Sequence, residues 1–400
     1  MRVLCCAFTT PGLLYPMVGL ALELRRRGHE VAFTTGYAAE PVLGQAGLDR
    51  LVGGRRDGTS FQIQRWADPL AAAIDVKHIE YAVRTFQPDV LVANLFVLGA
   101  CIVRERTDLP LCVMGNVAYL WPRRTPGSPV FPDCEQLARW RYKEMGESLD
   151  AARALFGLTT TGTDDDAYPL LGDRLLLRSI PQLEQEPESL PDIVRLVGAC
   201  EWEPPLDADA AWHELSNGIT DHGSVLYVQH GRTFGEPSFW PRLVEALEAR
   251  PVRVFASTGR MDHATGPVPA NFVVRDHMPQ SVVLPHADLV VSSGHSSVVL
   301  GALTHGLPSV VLPGTGGEMP DNTARLERAR CAVRLDPSVS ALVLCDAIDT
   351  ALHDPDLRAN ARAMRAAFDN VGGFRAAAEA LEQLLGLPLA VGERAGKVFA

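Results

Sequence analysis

The stretch from Leu289 to Pro313, LVVSSGHSSVVLGALTHGLPSVVLP, restricts the fold more than any other. An apolar run ends in a Ser/Gly/His turn, and a helical pattern opens immediately behind it. A second apolar strand follows the Gly-Leu-Pro break, so the segment reads as one βαβ unit. A strand that delivers the chain straight to a helix N-terminus builds an anion site, because unbonded backbone N–H groups and the positive dipole end point outward. Ser293, Ser296 and Ser297 add hydroxyl donors, and His295 can add another. An N-capping serine cluster with no ligand gives the same pattern. The context on both sides separates the two readings.

A chain of 400 residues exceeds one ordinary core, which points to two domains. An apolar fraction of 47% with 21% charged residues describes a globular protein able to bury large cores. The net charge of −11 argues against nucleic acid and anionic membranes as partners, but not against a phosphorylated small ligand. The eight cysteines, at 5, 6, 101, 112, 134, 200, 331 and 345, form no CxxC and no zinc-like spacing. Several lie in strand-like apolar runs, so buried reduced thiols and no metal are expected. The opening MRVLCCAF lacks the length of a signal peptide, and no apolar run approaches membrane-spanning length. A cytoplasmic protein is expected.

Strand and helix signals alternate through the first half. Strands are expected at Val3–Phe8, Glu30–Thr35, Asp89–Ala93 and Pro110–Met114, and helices at Met17–Arg27 and Leu98–Arg106, with TTPGLLYP as a loop. This alternation predicts a parallel sheet covered on both faces. Between 121 and 169, Pro/Gly-rich loops flank an amphipathic helix at 134–156. The segment EWEPPLDADAAW, 201–212, reads as the interdomain linker. The second half restarts the alternation. The expected division is an N-terminal domain 1–203, a linker 204–212, a C-terminal domain 213–385 and a tail 386–400.

Two such α/β domains place ligands at strand ends on either side of a cleft. On the second domain three loops converge there. In the loop after its first strand, Gly231 permits close approach and Arg232 can pair with a phosphate. In HisMetProGln, His277 can stack on a base that Gln280 binds. The third loop is the 293–297 turn with Gly294. One strand later Glu318 can accept hydrogen bonds from sugar hydroxyls, and Asn322 can cap or bind. Each piece alone also fits a plain surface loop.

Together these segments resemble the nucleotide-sugar-binding half of GT-B glycosyltransferases, in the bacterial natural-product branch related to UDP-glucuronosyltransferases. MPQSVVLPHADLVVSSGHSSVVLGALTHGLPSVVLPGTGGEMPDNTARL runs in register with that signature, with one extra residue in the 314–317 loop. TTPGLLYPMVGLALELRRRGHEVAFTT looks like the acceptor-side opening, PDVLVAN like the mid-domain strand and GDRLLLRSIPQLE like the pre-linker strand. The resemblance implies an α/β fold of two Rossmann-like domains facing a cleft. It also implies inverting transfer of a sugar, such as a deoxysugar, from a dTDP- or UDP-sugar to a hydrophobic natural product. No cofactor beyond that co-substrate and no metal are implied; a homodimer is left open.

The chain departs from the pattern where the chemistry sits. The family usually has Gly-His after the first strand, the His acting as base on the acceptor and steadied by an Asp; here Gly12 precedes Leu13, and Asn94 stands at the Asp position. The phosphate-binding His matches Ser293, and the acidic-plus-Gln pair becomes Glu318 and Met319. One alternative is an acceptor needing no such base. Another is a relocated base, with His230, His295, Asp75 and His78 as candidates. A third is an inactive homologue serving as helper or binding protein, and a fourth an epimerase of the same fold. The expected acceptor wall comprises Gly12, Leu13, Tyr15, Asn94, Tyr119 and Trp121.

Overall fold

The computed structural model describes residues 1–51, 68–116, 144–159, 169–184, 190–217, 223–229, 239–259, 266–314 and 318–387. Residues outside these spans include His230, Gly231, Arg232, Tyr119, Trp121 and most of the tail, so those expectations lie outside the described residues.

Two parallel sheets organise the chain. The first has strands β1 (Arg2–Ala7), β2 (Glu30–Thr35), β3 (Asp49–Arg50), β4 (Val90–Asn94), β5 (Leu111–Gly115), β6 (Arg174–Leu177) and β7 (Val194–Leu196), in spatial order β3-β2-β1-β4-β5-β6-β7. The second has β8 (Ser224–Gln229), β9 (Val252–Ser257), β10 (Phe272–Arg275), β11 (Leu289–Ser292), β12 (Ser309–Val311) and β13 (Ala332–Arg334), in order β10-β9-β8-β11-β12-β13. Both are doubly wound: the order reverses between β1 and β4 in one sheet and between β8 and β11 in the other. Ligands of open parallel sheets bind at the carboxyl ends of strands at such reversals.

The N-terminal sheet carries helices α1 (Pro11–Arg26), α2 (Glu40–Gln45), α3 (Pro69–Phe86) and α4 (Leu98–Thr107). Its strands are buried on both faces: Val3, Cys5 and Val92 face one apolar cluster, while Leu4, Cys6 and Leu91 face another. This is why these segments read as unbroken apolar runs. The described cysteines are all free thiols, and all but Cys345 are buried. Burial pushes the Cys101 thiol up to about 12, which makes it inert at neutral pH.

Helix α1 begins at Pro11, well before the expected Met17. Thr10 is its N-cap, and its carbonyl accepts the Leu13 and Leu14 amides at 2.9 and 2.8 Å. Proline suits the first helical position because its missing N–H would have no intrahelical partner. Pro16 lies inside the helix and cannot donate to the Gly12 carbonyl, a loss the first turn tolerates beside the cleft. The linker also departs from expectation, since α5 (Ala208–Ser216) starts inside it, capped by Asp207, whose carboxylate accepts the Ala210 amide at 3.0 Å.

The second sheet carries α6 (Phe239–Leu247), α7 (Gln280–Val283), α8 (Ser296–Thr304), α9 (Met319–Arg328), α10 (Ala341–His353) and α11 (Pro355–Val371). The last described helix, α12 (Phe374–Leu384), was expected within the C-terminal domain but packs on the N-terminal one. Its Ala377, Ala378 and Leu381 enter the cluster of Leu14, Leu20 and Leu24. Glu382 pairs with Arg27 at 2.9 Å and accepts from His29 at 2.9 Å. A further apolar cluster joins Ile180, Leu183 and Ala199 to Leu300, Leu303 and Phe368, fixing the floor between the domains.

Candidate active site

A cavity of about 620 Å³ lies between the domains. That size suits a small-molecule ligand. Its N-terminal wall includes Gly12, Tyr15 and Pro16 of α1 with Arg178; the C-terminal wall includes Gln229, Ser257, His277, Gln280 and Ser297. The linker supplies Trp202 and Glu203. The C-terminal wall therefore stands at the β8/β11 reversal.

The 293–297 turn divides into an outer and an inner part. Ser297, at the second position of α8, faces the cavity, and neither its N–H nor its hydroxyl has a partner among the described residues. Ser293, Gly294 and Ser296 are buried and lie behind it. Gly294 adopts φ +88°, and a Cβ there would stand 2.9 Å from Thr323 Oγ1 and 3.0 Å from the Met319 carbonyl, so the turn requires glycine. Its N–H donates to Ser292 Oγ at 3.3 Å.

Glu318 occupies the place where an anion was expected. Its Oε1 accepts the Ser296 N–H at 2.9 Å, so an internal carboxylate caps α8. One oxygen is thereby committed. Asn322 is buried and serves the turn rather than a ligand: Nδ2 donates to the Gly294 carbonyl at 3.0 Å and Ser296 Oγ at 2.9 Å. Its Oδ1 accepts from Arg325 at 3.2 Å, and Arg325 pairs with Glu184 at 3.2 Å. Glu184 accepts from Ser179 Oγ at 2.5 Å. A buried polar chain thus runs from the N-terminal domain to the 293–297 turn.

His295 is the N-cap residue of α8, and burial lowers its imidazole below the ordinary value against an opposing influence of Glu318. His277 and Gln280 both line the cavity. Gln280 packs so closely on Gly301 that a Cβ there would lie 2.2 Å from its Oε1.

Of the residues expected to form the acceptor wall, Gly12 and Tyr15 reach the cavity and Leu13 and Asn94 do not. Leu13 packs on the core cluster containing Phe8 and Val97. Asn94 is buried with both ends of its amide engaged: Oδ1 accepts the Phe8 N–H at 2.9 Å, and Nδ2 donates to the Leu13 carbonyl at 3.0 Å. It ties the end of β4 to the start of α1. Asp75 and His78 lie one turn apart on α3, lining a separate pocket of about 20 Å³ at the ends of β1 and β2. There His78 Nδ1 and Thr35 Oγ1 are buried without a hydrogen-bond partner, and burial lowers the His78 imidazole.

Sequence reasoning did not single out Arg178, Glu201, Trp202 or Glu203. Glu203 accepts the Gln280 and Ser281 amides at 3.1 and 2.9 Å, and Glu201 accepts from Thr304 Oγ1 at 2.7 Å. Both pin the linker to the C-terminal domain. The available signals were the acids bracketing Trp202 and an arginine closing the apolar run LLLR.

No protein-family model matches the chain. It is 27% identical over 439 aligned residues to 4'-demethylrebeccamycin synthase of Lentzea aerocolonigenes, covering 96% of this chain and 99% of that protein. Its fold matches the glycotransferase of kitacinnamycin with a TM-score of 0.75 at 21% identity, covering 97% and 99% of the two chains. It also matches the glycosyltransferase VinC, crystallised in complex with dTDP, with a TM-score of 0.71 at 17% identity, covering 96% and 99%. Among the described residues no helix is long and apolar enough to cross a membrane. The two facing doubly wound sheets, with a full-length relative of this kind, make the chain a GT-B-fold homologue of the bacterial natural-product glycosyltransferases.

Proposed function

We propose that the protein transfers a sugar, with inversion and without a metal, from a nucleoside diphosphate sugar to a hydrophobic natural-product acceptor in the interdomain cavity. The observation that carries this reading is the cavity itself. It sets Ser297, at the start of α8, opposite Gly12 and Tyr15 at the start of α1. Free donors at a helix N-terminus stabilise the charge that develops on a departing diphosphate. Tyr15, edge-on to Trp202 at 5.5 Å, gives the acceptor side an aromatic surface. The full-length likeness to 4'-demethylrebeccamycin synthase and the dTDP complex of VinC support a nucleotide donor and a natural-product acceptor.

The acceptor oxygen or nitrogen attacks the anomeric carbon, the bond to the diphosphate breaks, and the acceptor proton passes to a base. Leu13 cannot take a proton, and Asn94 is engaged with main chain. Of the candidate bases, His295 stands on the donor side, while Asp75 and His78 stand on the acceptor side. Asp75 and His78 line the separate pocket at the ends of β1 and β2 and do not line the cavity that would hold the acceptor.

Incubation with dTDP- and UDP-sugars and a panel of aromatic acceptors, read by mass spectrometry, tests the proposal. Sugar-bearing acceptor with release of nucleoside diphosphate is expected. Turnover of the sugar nucleotide without acceptor would favour an epimerase. Activity appearing only as stimulation of a second transferase would favour a helper protein.

A further inference from the structure

Arg178 follows directly on β6 and is 6% exposed. Its main chain is fixed by donation of its amide to the Gly115 carbonyl at 2.9 Å. Its Nε donates to the Ala199 carbonyl at 2.7 Å, which aims the guanidinium. That is its single side-chain hydrogen bond among the described residues, and no carboxylate lies within ion-pair distance of it there. The side chain lines the large cavity alongside Ser297, and also a small pocket with Ser296 and Asn322 on the other side of α8. Burial of the charge lowers its proton affinity, while more distant Glu201 and Glu318 act the other way. A buried guanidinium with unused terminal donors is costly unless an anion completes it.

We infer that Arg178 is a donor-binding residue: its terminal nitrogens clamp the diphosphate from the N-terminal domain while Ser297 and the start of α8 hold it from the C-terminal domain. This rests on the reading of the cavity as a nucleoside diphosphate site. The geometry supplies what the turn lacks. Glu318 already fills the Ser296 N–H, so the turn offers a diphosphate fewer backbone donors than a bare helix N-terminus, and Arg178 brings the missing positive charge. The clamp is bidentate by chemistry, because a guanidinium presents paired N–H groups to phosphate oxygens. It spans both domains, so binding the diphosphate draws them together.

The test is calorimetric titration of dTDP, dTMP and thymidine, with UDP in parallel, into wild type, Arg178→Gln and Arg178→Lys. Wild type should prefer dTDP strongly over thymidine. Arg178→Gln should weaken dTDP about 10- to 100-fold, the range for a buried charge-assisted hydrogen bond, with thymidine unchanged. Arg178→Lys should fall between them, since it keeps the charge and loses the fork. A structural role alone would weaken thymidine and dTDP in parallel, and that result overturns the assignment. Equal dTDP affinity in wild type and Arg178→Gln overturns it too, while leaving the donor site standing. Absence of dTDP and UDP binding in wild type overturns the donor site and the clamp together. If Arg178→Gln loses its native circular dichroism spectrum, the dTDP-to-thymidine affinity ratio of Arg178→Lys decides: a ratio equal to wild type's refutes the fork.

Discussion

Removing Glu184 tests whether the donor-side turn is held from the other domain. Its carboxylate, 2% exposed at the side chain, pairs with Arg325 at 3.2 Å, and Arg325 is 7% exposed. Arg325 in turn donates to Asn322, whose amide holds both Gly294 and Ser296. Glu184→Ala removes the carboxylate that Arg325 pairs with at 3.2 Å and strips Ser179 of its acceptor. Breaking a buried pair from one side costs about 3–5 kcal/mol, far more than the pair contributes relative to an apolar replacement. Arg325→Met should cost a similar amount, because it leaves the buried Glu184 carboxylate without that ion pair and with only the Ser179 hydroxyl donating among the described residues. The double variant, with no buried charge left, should recover a large part of the summed loss, giving a coupling of about 1–3 kcal/mol. Urea unfolding of the four proteins measures this. Because the chain ends at Ser296, dTDP affinity should fall in Glu184→Ala as well. Single losses below about 1 kcal/mol, or strict additivity in the double variant, would show that the Glu184–Arg325 pair does not hold the turn.

Further predictions concern packing, the cleft and pH. Gly301→Ala should lower nucleotide affinity several-fold and cost about 1–3 kcal/mol of stability, because the new Cβ lies 2.2 Å from Gln280 Oε1 and 2.9 Å from Cδ1 of the buried Leu284; binding and urea curves separate the two effects. Gly19→Ala puts a Cβ 2.1 Å from Phe374 Cζ and should destabilise by about 1–3 kcal/mol by prising α12 off α1. Burial holds His78, His295 and His305 below the ordinary imidazole value of 6.5. The unfolded chain therefore takes up protons first as pH falls, so stability present above about 6.5 is lost below it. Melting temperature should drop between pH 7 and 5, and the combined His→Asn variant should flatten that slope.

The alternation of strands and helices was legible because a two-faced parallel sheet writes its strands as apolar runs, and Glu30–Thr35 and Ser224–Gln229 are strands over those residues. The start of α1 was not. PGLLYP has the composition of a loop, and its first turn is held by Asn94, a side chain remote in sequence. Nor was the docking of α12, since an amphipathic helix announces an apolar face but not its partner. At the site, Ser297, His277 and Gln280 were read from their loops. Ser293 was legible as a residue of the turn and Asn322 as a capping or binding residue one strand later; both are buried, and Asn322 holds the turn through Gly294 and Ser296. Arg178 escaped notice because its meaning depends on α8, which meets it only in three dimensions.

On this proposal the cavity between the domains binds a nucleoside diphosphate against the start of α8. The most direct measurement is titration of dTDP and UDP into wild type and Ser297→Trp, whose indole would fill that end of the cavity. One site per chain for at least one nucleotide, abolished in Ser297→Trp while the fold is retained, is the predicted result. No binding of either nucleotide, or binding indifferent to Ser297→Trp, would contradict it.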